Sequence, residues 1–498
     1  MEHLDVLIVG AGLSGIGAAH HLQDQSPWAE YAIFEARDSI GGTWDLFRYP
    51  GIRSDSDMHT MGYSFRPWTG GQSLADGESI LQYIKDTAAE TGIDRRIRFN
   101  HRILRAEWST PDARWHVTAE RTDTGEEVEL TCGVYLSCSG YYRYDHGYEP
   151  HFEGREDFQG TIVHPQHWPE DLDYEGKRVV IIGSGATAVT LVPSMATKAA
   201  HVTMLQRSPT YIASLPGHNP LARGLRKVLP EAAAATCTRW AMALGAQGMY
   251  SFSKRRPAAM KRMLRKGLER EMPGVDLDTH FTPRYDPWDE RLCFVRDGDL
   301  FEVIRNGSAS VVTDQIERFT PTGIRLASGQ DLDADIIVTA TGLELLFLGG
   351  VELVVDDEKV DVSQRLVYKG MLLDGVPNLA VVFGYTNNSW TLRADLISGY
   401  VARLLNHLRS TGLRQFTARR DERDSGAGTF LGLTSGYVLR AVDQLPLQGT
   451  RFPWRVDQKY TKDYRALKRS GLEDDNMEFS NPVPPAIADR SDLVEAAT

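Results

Sequence analysis

Cysteine is scarce: Cys132, Cys138, Cys237 and Cys293 are the only four in 498 residues. They are too few and too scattered to frame a disulfide-stapled fold, and none stands in C-x-x-C spacing, so no metal site or redox pair is expected of them. Long apolar runs are also lacking. None approaches the roughly 20 residues that a bilayer span requires, and no crossing of a membrane is expected. Positive charge is in deficit, with 55 Lys and Arg against 67 Asp and Glu for a net charge of -12, which argues against general nucleic-acid affinity. The stretch Met1 to Val9 runs directly into a strand-like pattern without the basic, apolar and small-residue order of an export signal. The expected setting is therefore a reducing cytoplasm. What remains is an ordinary globular composition, 42% hydrophobic and 24% charged, in a chain longer than one core usually serves.

The first recognisable unit reads strand, glycine turn, helix, strand. Val6 to Val9 is apolar, Gly10-Ala11-Gly12-Leu13-Ser14-Gly15 follows, Ile16 to Leu22 has helical character, and Tyr31 to Phe34 closes the unit. In that context Gly10 permits a tight turn, Gly12 lets backbone approach a pyrophosphate, and Gly15 allows helix and strand to pack closely. The helix N-terminus then faces the phosphates. Glu35, at the end of the second strand, suits the two hydroxyls of a ribose. The small-residue loop Gly41-Gly42-Thr43-Trp44 comes immediately afterwards and favours an extended dinucleotide, FAD.

The cycle recurs at Val179 to Ile182, Gly183-Ser184-Gly185-Ala186-Thr187-Ala188 and Val202 to Leu205, with alanine in the third small position. Here the second strand is followed by Arg207 and Ser208 instead of a carboxylate, and an arginine can bind a 2'-phosphate through two hydrogen bonds. NADPH is the expected occupant. The fold class is thus α/β, with two Rossmann-like dinucleotide-binding domains.

Between the two units, Arg102 to Trp108 and Arg114 to Ala119 flank a turn at Pro111 and Asp112 and predict an antiparallel hairpin. Asp335 to Thr339 and Leu379 to Phe383 are short apolar runs expected to complete the first domain from far along the chain, so the domains are expected to be interleaved. The resulting division is a first FAD-domain part at 1–140 and a linker with the first NADPH-domain part at 141–212. A helical insertion at 213–280 follows, then the second NADPH-domain part at 281–330, the second FAD-domain part at 331–480 and a poorly ordered tail at 481–498. The insertion is basic. From Arg223 to Arg270 only Glu231 and Glu269 oppose the lysines and arginines, which reads either as a solvated helical face or as a contact for an anionic membrane surface or a partner.

A flavin and a nicotinamide in one chain imply hydride transfer to the flavin, followed by an acceptor. The spacing of Cys132 and Cys138 suits no disulfide reductase, which leaves oxygen, a quinone or a small organic acceptor. At this point Phe158-Gln159-Gly160-Thr161-Ile162-Val163-His164-Pro165-Gln166-His167-Trp168-Pro169 resembles the fingerprint of Baeyer-Villiger flavoprotein monooxygenases of class B. So does Gly41-Gly42-Thr43-Trp44 with Tyr49-Pro50-Gly51 and Asp55 beyond it. Phe47 to Asp57 and Trp288 to Leu300 are most similar to the bacterial ethionamide-activating subgroup. The resemblance spans nearly the whole chain.

It implies O2 as the acceptor, a C4a-peroxyflavin as oxygenating species, ketones converted to esters or lactones, and sulfides oxidised; a flavin-dependent N- or S-oxygenase is the alternative reading. A nucleotide-binding redox sensor without turnover is a lower one. The resemblance also marks Arg291, in Trp288-Asp289-Glu290-Arg291-Leu292-Cys293, as the active-site arginine and Asp55 as the carboxylate that orients it. His164 and Trp168 are expected to brace the domains. Many relatives carry lysine where this chain has Glu290, which leaves Arg207 to supply most of the selectivity for NADPH. A monomer and a homodimer both remain open.

Overall fold

The computed structural model describes residues 1–482. Apart from Asn481 and Pro482, the tail expected to be poorly ordered lies outside the described residues. Two sheets organise the chain, the first mixed and the second wholly parallel. In the first, Glu2–Val9 lies between Tyr31–Phe34 and Glu127–Ser137, with Val9 level with both Phe34 and Ser137. Those strand ends open together onto one crevice, where this class of sheet binds nucleotides. The expected hairpin forms as His101–Ser109 against Arg114–Arg121, continuing antiparallel into Glu127–Ser137. Alternation drives it: Trp115, Val117 and Ala119 are buried while their neighbours are not, and Trp115 meets Trp108 directly across the ladder with ring centroids 5.7 Å apart. Such cross-strand aromatic pairs set register.

The second sheet has five parallel strands in the order Ala309–Thr313, His201–Gln206, Arg178–Ile182, Ile336–Thr339 and Thr161–Val163. This corrects one expectation. The run Asp335 to Thr339 completes the second fold, not the first, because Ile336–Thr339 is hydrogen-bonded on one side to Arg178–Ile182 and on the other to Thr161–Val163. A continuously apolar strand announces burial on both faces but not which sheet receives it. Leu379–Val381 does join the first sheet, beside Glu127–Ser137, and the helix Trp390–Thr411 packs on Leu13–Gln25. The folds are interleaved. Likewise Thr161–Val163, in the segment read as a linker, is an edge strand of the second sheet.

The insertion comprises the helices Pro220–Arg226, Glu231–Arg255 and Pro257–Glu271. It opens after Ile212–Leu215, which pairs in parallel with Cys293–Arg296. The start of the insertion and the strand just beyond Arg291 are thereby held side by side. No helix among the described residues is long and apolar enough to cross a membrane. All four cysteines are free, and Cys132, Cys138 and Cys293 are buried.

Candidate active site

A cavity of about 510 Å³ runs from the first glycine turn to the boundary between the two folds. At one end, Gly10 has a φ of +104°, and a Cβ there would stand 2.7 Å from the Cys138 carbonyl oxygen. A Cβ on Gly15 would stand 1.9 Å from the Gly10 carbonyl oxygen, so helix Leu13–Gln25 can sit this close to the strand only because a hydrogen is there. Gly12 faces the second small loop: a Cβ on it would lie 3.6 Å from the Gly42 Cα. The helix has no side-chain cap and no acid in its first turn, which leaves its leading N–H groups for an anion.

Glu35 lines the same cavity. Its Oε2 accepts from the Ala11 N–H at 2.7 Å and its Oε1 from the Arg37 N–H at 3.0 Å. Burial pushes its carboxyl up, and those backbone donors pull it only part of the way back. Two backbone donors thus fix the carboxylate at the crevice, where the sequence reading places a ribose. Thr43, whose Oγ1 is 3.3 Å from the Tyr144 hydroxyl, and Trp44 complete this wall. A glycine cradle, an uncapped helix, an oriented acid and an elongated cavity together fit FAD.

At the far end, Arg291 and Asp55 meet. Arg291 Nη1 donates to Asp55 Oδ2 at 2.9 Å. The two arrive from different directions. Asp55 ends the loop Phe47 to Asp55, whose Phe47 and Tyr49 rings are packed into the core of the second fold. Gly51 has a φ of +77°, and a Cβ on it would fall 1.8 Å from the Ser194 Oγ. Arg53, in the same loop, is paired with Asp299. Arg291 is held by the parallel pairing that begins at Cys293 and by Thr434, whose Oγ1 donates to the Asp289 carbonyl at 3.0 Å. Nearby Trp288 is buried with a φ of +72°, an uncommon conformation for an aromatic residue that the surrounding packing must hold.

The Arg291 side chain remains 33% exposed and Asp55 42%, and both line the cavity. A pair this open contributes little to stability, so fold stability does not account for it. Desolvation disfavours the guanidinium charge, yet Asp55 with Tyr141, Tyr437 and Tyr142 outweighs it and the net shift is upward. The result is a permanent cation facing the cavity.

The second glycine turn also stands as the sequence suggests. Gly183 has a φ of +139°, a Cβ there would be 2.3 Å from the Ala340 carbonyl oxygen, and helix Ala186–Met195 begins at Gly185 without a side-chain cap or an early acid. Ala186 and Thr187 reach the main cavity, whereas Gly183, Gly185, Arg207 and Ser208 do not line it. Arg207 and Ser208 are exposed just past the strand His201–Gln206. The Ser208 carbonyl accepts from the Ser184 Oγ at 3.2 Å, tying the turn to that strand end. Glu290 is half-buried and close enough to Arg207 for the two charges to interact.

His164 and Trp168 are part of the scaffold. Trp168 belongs to the core of the second fold, a Cβ on Gly147 would strike the His164 ring, and the neighbouring Gln166 Nε2 donates to the carbonyls of Arg143 and Tyr144 at 2.9 Å. Tyr141, Tyr142, Tyr144 and Tyr437 were not singled out from the sequence. The first three follow a strand that ends at the nucleotide crevice, a position that signals them; Tyr437 carries no local signal. Trp390 lines the cavity and stacks on Tyr141 with ring centroids 5.3 Å apart, while Trp454 is fully buried in the core.

Comparison with known proteins agrees with this geometry. Residues 4–219 match the family described as flavin-binding monooxygenase-like. The FAD-containing monooxygenase EthA of Mycobacterium tuberculosis is 54% identical over 489 residues, 98% of this chain and 100% of the relative. The probable FAD-binding monooxygenase AlmA of Acinetobacter baylyi is 47% identical over 502 residues, 100% of this chain and 98% of the relative. Among solved structures, an oxidised steroid monooxygenase bound to NADP superposes with a TM-score of 0.75 at 22% identity, covering 96% of this chain and 100% of that one. An open cyclohexanone monooxygenase gives 0.68 at 19%, covering 84% and 90%. With a flavin-shaped crevice, a second nucleotide turn beside it and full-length relatives of this kind, the chain belongs to the flavin-binding monooxygenase-like family.

Proposed function

We propose that this protein is an FAD- and NADPH-dependent monooxygenase of the Baeyer-Villiger type, converting ketones to esters or lactones and oxidising sulfides. The observation that carries the reading is the Arg291–Asp55 pair, open to the cavity where the two folds meet. FAD held at Gly10, Gly12, Gly15, Glu35, Gly42, Thr43 and Trp44, and reduced by NADPH held at Gly183, Gly185, Ala186, Thr187, Arg207 and Ser208, would supply the electrons that split O2. Ketone, O2, NADPH and a proton then yield ester, NADP+ and water.

Inserting oxygen beside a carbonyl needs an oxygen nucleophile that stays unprotonated, and negative charge passes to the carbonyl oxygen during attack. Arg291 suits both moments because a guanidinium keeps its charge at working pH and does not give up a proton to the nucleophile. Asp55 positions it. Tyr141 and Trp390 supply an apolar wall that keeps water from the nucleophile.

The test is product analysis with a linear ketone, a cyclic ketone and a thioether, under labelled O2, for wild type and Arg291→Ala. Ester or lactone carrying one labelled oxygen is expected from wild type. The variant is expected to keep oxidising NADPH while ester yield falls by about a hundredfold or more, the scale on which such charge-stabilising groups act. Sulfoxide without ester would instead identify a heteroatom oxygenase.

A further inference from the structure

The outer side of the insertion combines exposed apolar side chains with a row of cations. On helix Glu231–Arg255 the residues Cys237, Ala241, Leu244, Gly248, Phe252 and Arg255 are exposed. They recur every three or four positions and therefore share one face. As far as Phe252 that face bears no charge. Leu244 and Phe252 are 46% and 43% exposed, and a Cβ on Gly245 or Gly248 would meet nothing within 4 Å. Packing inside this chain does not account for two glycines that weaken a helix interior.

The next helix, Pro257–Glu271, buries Met260, Leu264 and Leu268 and turns Arg262, Lys266 and Arg270 outward at four-residue intervals. Other cations of the insertion are paired, Lys254 with Asp289, Lys261 with Asp286 and Arg265 with Asp278. Arg255, Arg256, Arg262, Lys266 and Arg270 make no ion pair among the described residues. Leu221 and Val228, 45% and 76% exposed, add apolar surface beside Arg223 and Lys227.

We infer that this face docks on an anionic lipid bilayer. An uncharged helical strip bordered by unpaired cations is the composition that lies in the headgroup plane, apolar side chains toward the acyl chains and cations on the phosphates. A second copy fits less well, because a two-fold contact would set the uncompensated cations of one copy against those of the other. A nucleic acid would leave the uncharged strip unused. The docking is peripheral, since no described helix can cross.

The placement has a consequence for substrate access. Ala243, on the inner side of the same helix, is fully buried, and its carbonyl accepts from the Asn388 Nδ2 at 3.3 Å. Asn388 lines the cavity. Only about one helix diameter, roughly 10–12 Å, then separates lipid from cavity, and lipophilic molecules partitioned into the bilayer are delivered beside it. The docking itself rests on the surface alone and stands or falls independently of the reaction proposed above.

The test is cosedimentation of the full chain with vesicles of phosphatidylcholine alone and of phosphatidylcholine mixed with phosphatidylglycerol. Binding is expected only to the mixed vesicles and weaker at high salt. It should fall by at least about a hundredfold in the triple variant Arg262→Glu, Lys266→Glu, Arg270→Glu, since losing the three cations alone removes roughly 1 kcal/mol each. Leu244→Asp with Phe252→Asp should also lose binding while retaining wild-type circular dichroism and flavin absorbance. Absence of binding, equal binding to both vesicles, or an unaffected triple variant would overturn the inference. A dimer seen by light scattering and dissolved by Leu244→Asp, without vesicle binding, would assign the face to a second copy.

Discussion

A carboxylate beside a proposed phosphate site competes with the phosphate for the nearby cation. Glu290 stands in that relation to Arg207. Burial pushes its carboxyl above the usual range, Arg207 pulls it part of the way down, and the net shift is upward. Above its pKa Glu290 is an anion facing the site proposed for a 2'-phosphate; below it the repulsion disappears. The KM for NADPH should therefore fall as pH drops through the Glu290 titration. In Glu290→Gln it should be severalfold lower at neutral pH and should lack that component, with the KM for NADH nearly unchanged. The phosphate's own protonation near pH 6 is common to both proteins, so the difference between the two profiles isolates Glu290. Parallel profiles would show that Glu290 does not sense the coenzyme. Much of the residue scale was legible in the sequence, because glycines with no room for a Cβ and an acid at a strand end are demanded locally. Tyr437 was not, since only tertiary folding brings it to Arg291.

At the scale of elements, the helix Glu231–Arg255 is joined to the first fold through Arg239. Its Nη1 donates to the Thr60 carbonyl at 3.0 Å and its Nη2 to Asp395 at 2.8 Å. The Asp395 side chain is only 10% exposed. Desolvation works against its charge, but hydrogen bonds and charges from His21 and Arg239 overcome this and hold its pKa below the usual range. Replacing Arg239 with methionine leaves a nearly buried carboxylate without its permanent cation, at a cost of about 3 kcal/mol. Amide exchange along Glu231–Arg255 should then accelerate by about a hundredfold while the strands of both sheets exchange as before. Unchanged exchange in the helix would mean that other contacts hold the insertion. Composition alone revealed that this segment was helical and basic, but not that Arg239 pairs across to Asp395. The strand Ile336–Thr339 failed in the opposite way: its apolar run was evident, but membership of a sheet is settled by hydrogen bonding to strands distant in sequence.

On the scale of the whole molecule, the repeated glycine turn was enough to expect two nucleotide folds, and late apolar runs were enough to expect interleaving. One of the contacts that lock the folds together, the steric fit between Gly51 and Ser194, was not legible, because it forms only in the tertiary structure. That fit is a lever on the proposed active site. Gly51→Ala would place a methyl group 1.8 Å from the Ser194 Oγ at a φ of +77°, which side chains adopt only with strain. The loop must then lift from the second fold, carrying Asp55 away from Arg291 while leaving both glycine turns intact. Flavin content and anaerobic reduction by NADPH are expected to survive. The ratio of oxygenated product to NADPH consumed should drop by about tenfold or more, the range expected when misplaced reacting groups lose alignment. Adding Ser194→Gly removes the obstructing hydroxymethyl group and should recover part of that ratio, a coupling that additive effects of independent sites cannot produce. If the single variant keeps full coupling, or the double variant shows only the sum of the separate effects, the loop does not transmit the position of the second fold to Asp55.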